Sequence, residues 1–250
     1  MDQVYIPKNR TGLSIGNYVI VQPLEKQKPV EKLYFYGVKE IEPLKLEIVY
    51  EVIKIIDKLL DSYENLFVIG SFLDKGFHFN DIDILIVAED KINSSLIEPS
   101  IERKVGVKAH ILTLNNKELN KGLETDPLYQ MMLSRCIANK RFIYKTEQTM
   151  NYKLLDLHLF KSRALTNNFD ILSGSEKYDL VRNMIAIYLY LKNKKISNKL
   201  VDEEIKKGFE IDVQKIKQNI IDKKKFLKKY KLIYNKTFVK ILRGIEHGTE

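Results

Sequence analysis

Between Leu66 and Val87 two apolar runs bracket a short polar loop, and no other stretch constrains the fold so tightly. The first run, Leu66-Phe67-Val68-Ile69, ends in Gly70-Ser71. The second opens on Asp81-Ile82-Asp83 and continues to Val87. Both are short, continuous and closed by turn residues, as buried strands are. Successive strand residues point to opposite faces. Asp81 and Asp83 therefore project together, and Ile82 and Ile84 point the other way into a core. Two carboxylates on one strand face beside a Gly-Ser turn suit a hard divalent cation, which takes oxygen ligands and shares them with substrate phosphates. The plain alternative is a pair of solvated aspartates at a strand start.

The neighbouring segments supply the rest of a sheet. Pro43 to Tyr63 reads as a helix, with Leu44, Ile48, Val52, Ile55, Ile56 and Leu59 recurring at helical spacing opposite Glu47, Glu51 and Lys54. Leu96 to Lys104 predicts a helix around Pro99, and Val105 to Leu114 a third strand. Asp126-Pro127 is a helix start, aspartate capping and proline in the first turn. That helix is expected to run through Met131 and Ile137, placing Cys136 in a helix as a small core residue, before a short strand at Arg141–Tyr144. Lys32 to Gly37 predicts another strand. Val4 to Val21 reads as two short strands around a turn.

Apolar strand, Gly-Ser, spacer and Asp-x-Asp on the next strand together resemble the signature of the DNA polymerase β-like nucleotidyltransferase superfamily, over roughly residues 44–114. Within it the chain is similar to prokaryotic, archaeal-type nucleotidyltransferases, and also to the shorter antitoxin nucleotidyltransferases that modify a partner protein. The resemblance implies an α+β fold: a nucleotidyltransferase-type mixed β-sheet with flanking helices, followed by a helical C-terminal domain. It divides the chain into a β-rich extension (1–40), a nucleotidyltransferase-like domain (41–149) and a helical basic domain (150–250). It implies Mg²⁺ or Mn²⁺ as cofactor, an NTP such as ATP as donor, and transfer of a nucleoside monophosphate to a hydroxyl of RNA, protein or a small molecule. Carried over by position, Gly70 and Ser71 bind triphosphate and Asp81 and Asp83 bind metal; Lys75 and Asn80 are secondary phosphate contacts.

The family's third carboxylate stands on the third core strand, and here that position aligns with His110. Three readings follow. A neutral imidazole can ligate a metal or act as general base. Glu102 can reach in from before the strand. Or transfer is lost, leaving a degenerate domain that binds nucleic acid or a protein partner. A plain hydrogen-bonded histidine on an exposed sheet face is the structural alternative. His78, in the loop before the aspartates, is either a substrate contact or solvated. Tyr188 and Tyr190 read as core.

Beyond Asn151 the strand signals stop. Helical periodicity runs over Leu154–Leu165, Glu176–Lys192 and Val213–Leu242. The last region is densely basic, with Lys223, Lys224, Lys225, Lys228 and Lys229 as candidate RNA or DNA phosphate contacts, or else a solvated face. The 250-residue chain carries a net charge of +9 and an apolar fraction of 44%, consistent with a packed core and affinity for polyanions. No apolar run approaches the ~20 residues of a membrane span, so no membrane association is expected. The opening residues lack the charged and apolar regions of a secretory leader, and the lone Cys136 fits a reducing compartment. Both predict a cytoplasmic protein.

Overall fold

The two apolar runs around Gly70 are strands, and they pair with each other. The computed structural model describes residues 32–77, 79–90, 92–144 and 147–247, and the elements below belong to one compact unit beginning at Leu33. The expected strands between Val4 and Val21 lie outside the described residues.

In chain order the sheet half contains β1 (Tyr34–Tyr36), α1 (Pro43–Leu59), β2 (Asn65–Ile69), β3 (Asp81–Val87), α2 (Ile97–Val105), β4 (Lys108–Leu114), α3 (Asn116–Thr125), α4 (Pro127–Leu133) and β5 (Cys136–Ala138). The helical half contains α5 (Tyr152–Ser162), α6 (Ala164–Asn167), α7 (Gly174–Tyr190), α8 (Asn198–Phe209), α9 (Val213–Lys217) and α10 (Lys223–His247). The protein is thus α+β, with a five-stranded mixed sheet of order β1-β5-β2-β3-β4 and helices after it. β3 and β4 run parallel, joined through α2, and the other pairs are antiparallel. No helix among the described residues is long and apolar enough to cross a membrane.

Strand parity divides the sheet into two faces. Leu66, Val68, Ile82, Ile84 and Ile86 meet Val49, Val52, Ile53 and Ile56 of α1 and Ile97 and Ile101 of α2. Phe67, Ile69, Leu85 and Val87 meet Leu119 and Leu123 of α3 and Leu133 after α4 begins. Asp81 and Asp83 share parity with Leu85, so they open on the α3/α4 side. A third core, centred on the fully buried Tyr190 and Tyr230, fills the helical half and includes Met131 of α4.

Several expectations need correction. The buried face of α1 is Lys45, Val49, Val52, Ile53 and Ile56, while Leu44 and Leu59 are exposed. The helix is rotated because Lys45, a charged residue, is taken inside. Asp126 does cap α4, accepting from the Leu128 N–H at 2.8 Å, but α4 ends at Leu133. Cys136 is a buried strand residue on β5, paired between β1 and β2, and not helical. Arg141–Tyr144 forms no strand. Two helices arise where none was expected. α3 is closed by a capping box, Asn115 accepting from the Glu118 N–H and Glu118 from the Asn115 N–H. α8 is capped by Ser197 and buries Val201, Ile205 and Phe209 along one stripe.

Candidate functional site

The site grows from a register. Asp83 lies opposite Ile69 across β2 and opposite His110 across β4. The residue after Ile69 is Gly70, at φ +79°, ψ −162°, a conformation open to glycine and strained for other residues. A Cβ on Gly70 would stand 2.2 Å from Asp83 Oδ2. Any side chain there would have to displace that carboxylate. A single 3₁₀ turn, Ser71–Leu73, follows. Its Phe72 and Leu73 are buried anchors, while Ser71 faces solvent.

The loop beyond this turn is held from both sides. From α1, the fully buried Lys45 donates from Nζ to the Asp74 carbonyl at 2.5 Å and pairs with Glu42 at 3.2 Å. Its ammonium stands 5.6, 5.4 and 5.3 Å from the rings of Phe72, Phe77 and Phe79, within cation–π range. Glu42 accepts from the Gly76 N–H at 2.5 Å. That bond, above all, lowers the Glu42 pKa to about 2. From the other side, Asp74 takes Arg135 on Oδ1 and Lys217 of α9 on Oδ2, the latter at 3.1 Å. Arg135 also donates to the Leu73 carbonyl. Burial pushes the Asp74 pKa up, and the two cations outweigh it, leaving a net lowering.

Asp83 is shifted the other way. Burial raises its pKa first and the charge of Asp81 second, opposed by His110 and by Arg182 of α7. His110 Nδ1 lies 3.5 Å from Asp83 Oδ1. His110 is 74% exposed and Asp83 35%. The histidine therefore stands on the aspartates' face, beside the carboxylate and open to solvent. Glu102 belongs to α2, in the layer on the opposite face, and is exposed; it does not approach the aspartates. Lys75 and Asn80 lie exposed on the loop. His78 is outside the described residues.

The helical half contributes groups with no local signature. Tyr178 of α7 donates to Asp202 Oδ1 of α8 at 2.8 Å, and Lys217 Nζ lies 4.6 Å from the Tyr178 ring. Arg182 pairs with Asp179 at 3.1 Å, and its buried Nε has no partner among the described residues. Arg182 and Lys217 thus bring positive charge to the corner where Gly70, Asp74 and Asp83 meet. A signal that could have singled out Arg182 is a cation set among the buried Val181, Met184 and Ile185 of α7.

Among the described residues no three His, Cys, Asp or Glu side chains gather closely enough to hold a metal unaided. The donor set nevertheless fits a cation that completes its shell with phosphate oxygens. Two carboxylates share a face; burial first and the Asp81 charge second raise the Asp83 pKa, and a bound cation would stabilise the ionised form against both.

The five candidate lysines lie on or at the start of α10. Lys223 is tied to Asp170, and Lys229 to Glu210 at 2.8 Å and the Phe209 carbonyl at 3.1 Å. Lys224, Lys225 and Lys228 are exposed. Tyr190 is core, its hydroxyl donating to the Glu124 and Thr149 carbonyls. Tyr188 is half-buried, with Lys192 Nζ 3.9 Å from its ring. Compared with family models, curated proteins and solved structures, the chain matches none.

Proposed function

We propose that this protein is a nucleotidyltransferase-type enzyme that takes an NTP with Mg²⁺ or Mn²⁺ and transfers the nucleoside monophosphate to an acceptor hydroxyl. The observation that carries the reading is the closure of Gly70 over the Asp83 carboxylate, which puts the Gly-Ser turn and the Asp81/Asp83 pair into one corner. Asp81 and Asp83 would hold the cation, which when bound supplies charge neutralisation for the phosphates. Backbone N–H groups of the Gly70–Ser71 turn suit the terminal phosphates. In the transfer, the acceptor oxygen bonds to the α-phosphorus, the bond from that phosphorus to the bridging oxygen breaks, and pyrophosphate leaves. His110 takes the hydroxyl proton, from a position 3.5 Å from Asp83 and open to an incoming acceptor.

A second reading rests on the same histidine. With an imidazole in place of a third carboxylate, the domain would bind nucleotide without transferring it. One experiment separates the two: incubation with each α-labelled NTP, Mg²⁺ or Mn²⁺, and total RNA or lysate. Under the first reading label moves to an acceptor, His110→Ala loses transfer and His110→Asp retains it. Under the second, wild type is silent with every NTP. Both readings require that folded Asp83→Asn loses Mg²⁺-dependent NTP binding in calorimetry; unchanged affinity would remove both.

A further inference from the structure

A cavity of about 360 Å³ opens at the end of α5 and along α6, lined by Phe160, Lys161, Arg163, Ala164, Asn167 and Asn168. Phe160 leaves 64% of its surface in solvent. Among the described residues no aromatic ring pairs with this one, and it lies beside two cations and two carboxamides. A ring face stacks on any base, a guanidinium and an ammonium suit phosphodiester oxygens, and a carboxamide reads a base edge.

The strongest charge of the chain lies alongside. α10 holds nine Lys or Arg residues against a single Glu, so this one helix carries +8 of the net +9. Its first turns run along the segment that forms the cavity. Lys223 pairs with Asp170, the Phe226 ring lies 6.1 Å from Phe169, and Tyr230 donates to the Ser162 carbonyl at 2.7 Å. Arg163 acts electrostatically on Tyr234. Lys223 and Lys229 are engaged in ion pairs, so the cations left for a ligand are the exposed ones. Among these Lys224, Lys228 and Lys231 recur at i, i+4 and i+7 on one face.

We infer that this cavity and the exposed lysine face of α10 bind single-stranded nucleic acid, an unstacked base resting on Phe160 and the backbone passing Arg163 and continuing round the helix to Lys224, Lys228 and Lys231. The surface is independent of Asp81 and Asp83, and nucleotide transfer is not needed for it. A duplex keeps its bases stacked and offers none to Phe160. An anionic bilayer would use the lysines and leave the carboxamides of Asn167 and Asn168 without purpose.

The test uses the full chain in EDTA without NTP, so failure of nucleotide transfer cannot mask the result. Anisotropy is followed with labelled single-stranded RNA and DNA of about a dozen nucleotides, the matching duplex, heparin, and phosphatidylserine vesicles. The expected result is tighter binding of one or both single strands than of duplex. Phe160→Ala weakens it roughly tenfold with an unchanged salt slope. The combined change K224Q, K228Q and K231Q reduces the log–log salt slope by about two, since each phosphate contact in a single strand contributes about 0.7. All four residues are exposed, so circular dichroism should show unchanged folding; Asn168→Ala is a second, milder probe of the cavity. The inference is overturned if Phe160→Ala and Asn168→Ala bind like wild type, or if heparin or the vesicles bind as tightly as the single strands.

Discussion

Asp74 and Asp83 bracket the same loop and sit in opposite electrostatic surroundings. Asp74 is saturated: Arg135 and Lys217 each take one carboxylate oxygen, and the pKa falls. Asp83 has burial and a like charge against it, with the exposed His110 at 3.5 Å and Arg182 farther off as its opposing groups among the described residues, and its pKa rises. The carboxylate that already has its cations is part of the scaffold. The one that lacks them is where a cation from outside would be stabilised most. Sequence alone ranks these residues differently, because the Asp-x-Asp pattern draws attention to one and nothing draws it to the other.

The largest effect expected from breaking this arrangement is at Gly70. Gly70→Ala meets both a positive φ and a Cβ placed 2.2 Å from Asp83 Oδ2. Gly106, the C-cap of α2, has a similar φ of +76° and nothing within 4 Å of its Cβ position. Gly106→Ala should cost only the left-handed conformation, about 1 kcal/mol. Gly70→Ala should cost about 3 kcal/mol and abolish NTP binding. Urea unfolding of the two variants gives, as their difference, the contact with Asp83 together with the extra backbone strain of Gly70, whose ψ of −162° lies in a region nearly closed to side chains while Gly106, at ψ 12°, is ordinarily left-handed. Equal losses would mean that Asp83 swings away freely, and that the closed corner is not a fixed feature.

Asp74→Asn comes next. It leaves Arg135 and Lys217 facing each other without the carboxylate. The loss should be about 1–2 kcal/mol, below the range for a fully buried pair because the Asp74 side chain keeps 36% of its exposure. Urea unfolding measures it. A loss within error would mark Asp74 as a bystander and undo the contrast with Asp83.

What the sequence reveals of this corner follows from periodicity. A strand has period two, so once the run after Asp81 is a strand, Asp81 and Asp83 must share a face and the isoleucines must be inside. Parallel pairing of β3 with β4 then brings His110 beside Asp83. The face of α1 was less readable, because a pattern of apolar residues assigns Lys45 to solvent. Its burial depends on Phe72, Phe77, Phe79 and the Asp74 carbonyl, all distant in sequence. Cys136 shows the ordinary ambiguity of a short apolar run, which fits a strand as well as a helix. The caps at Asn115 and Ser197 were legible signals within polar segments. Arg135, Arg182 and Lys217 had no comparable signal, since tertiary packing alone brings them to the loop.

The smallest and most discriminating effect concerns pH. A carboxylate with a lowered folded pKa stabilises the protein above its unfolded value, and that contribution disappears as pH falls through the folded value. Asp74 is of this kind. Asp83 has the opposite sign. Between the ordinary aspartate value and its raised folded value, the native state holds the proton more tightly than the unfolded chain does. Stability therefore falls as pH rises through that window, and the cost persists above it. Asp83→Asn removes the cost. Its melting temperature should match wild type in acid below the ordinary aspartate value, then exceed it by a margin that grows through the window and levels off near neutral pH. Asp74→Asn should show the mirror image, a deficit that grows with pH and then levels off. Thermal melts of both variants across one pH series measure the two curves together. Curves of the same sign would mean that Asp83 is as well satisfied as Asp74, leaving no electrostatic reason for a cation to settle there.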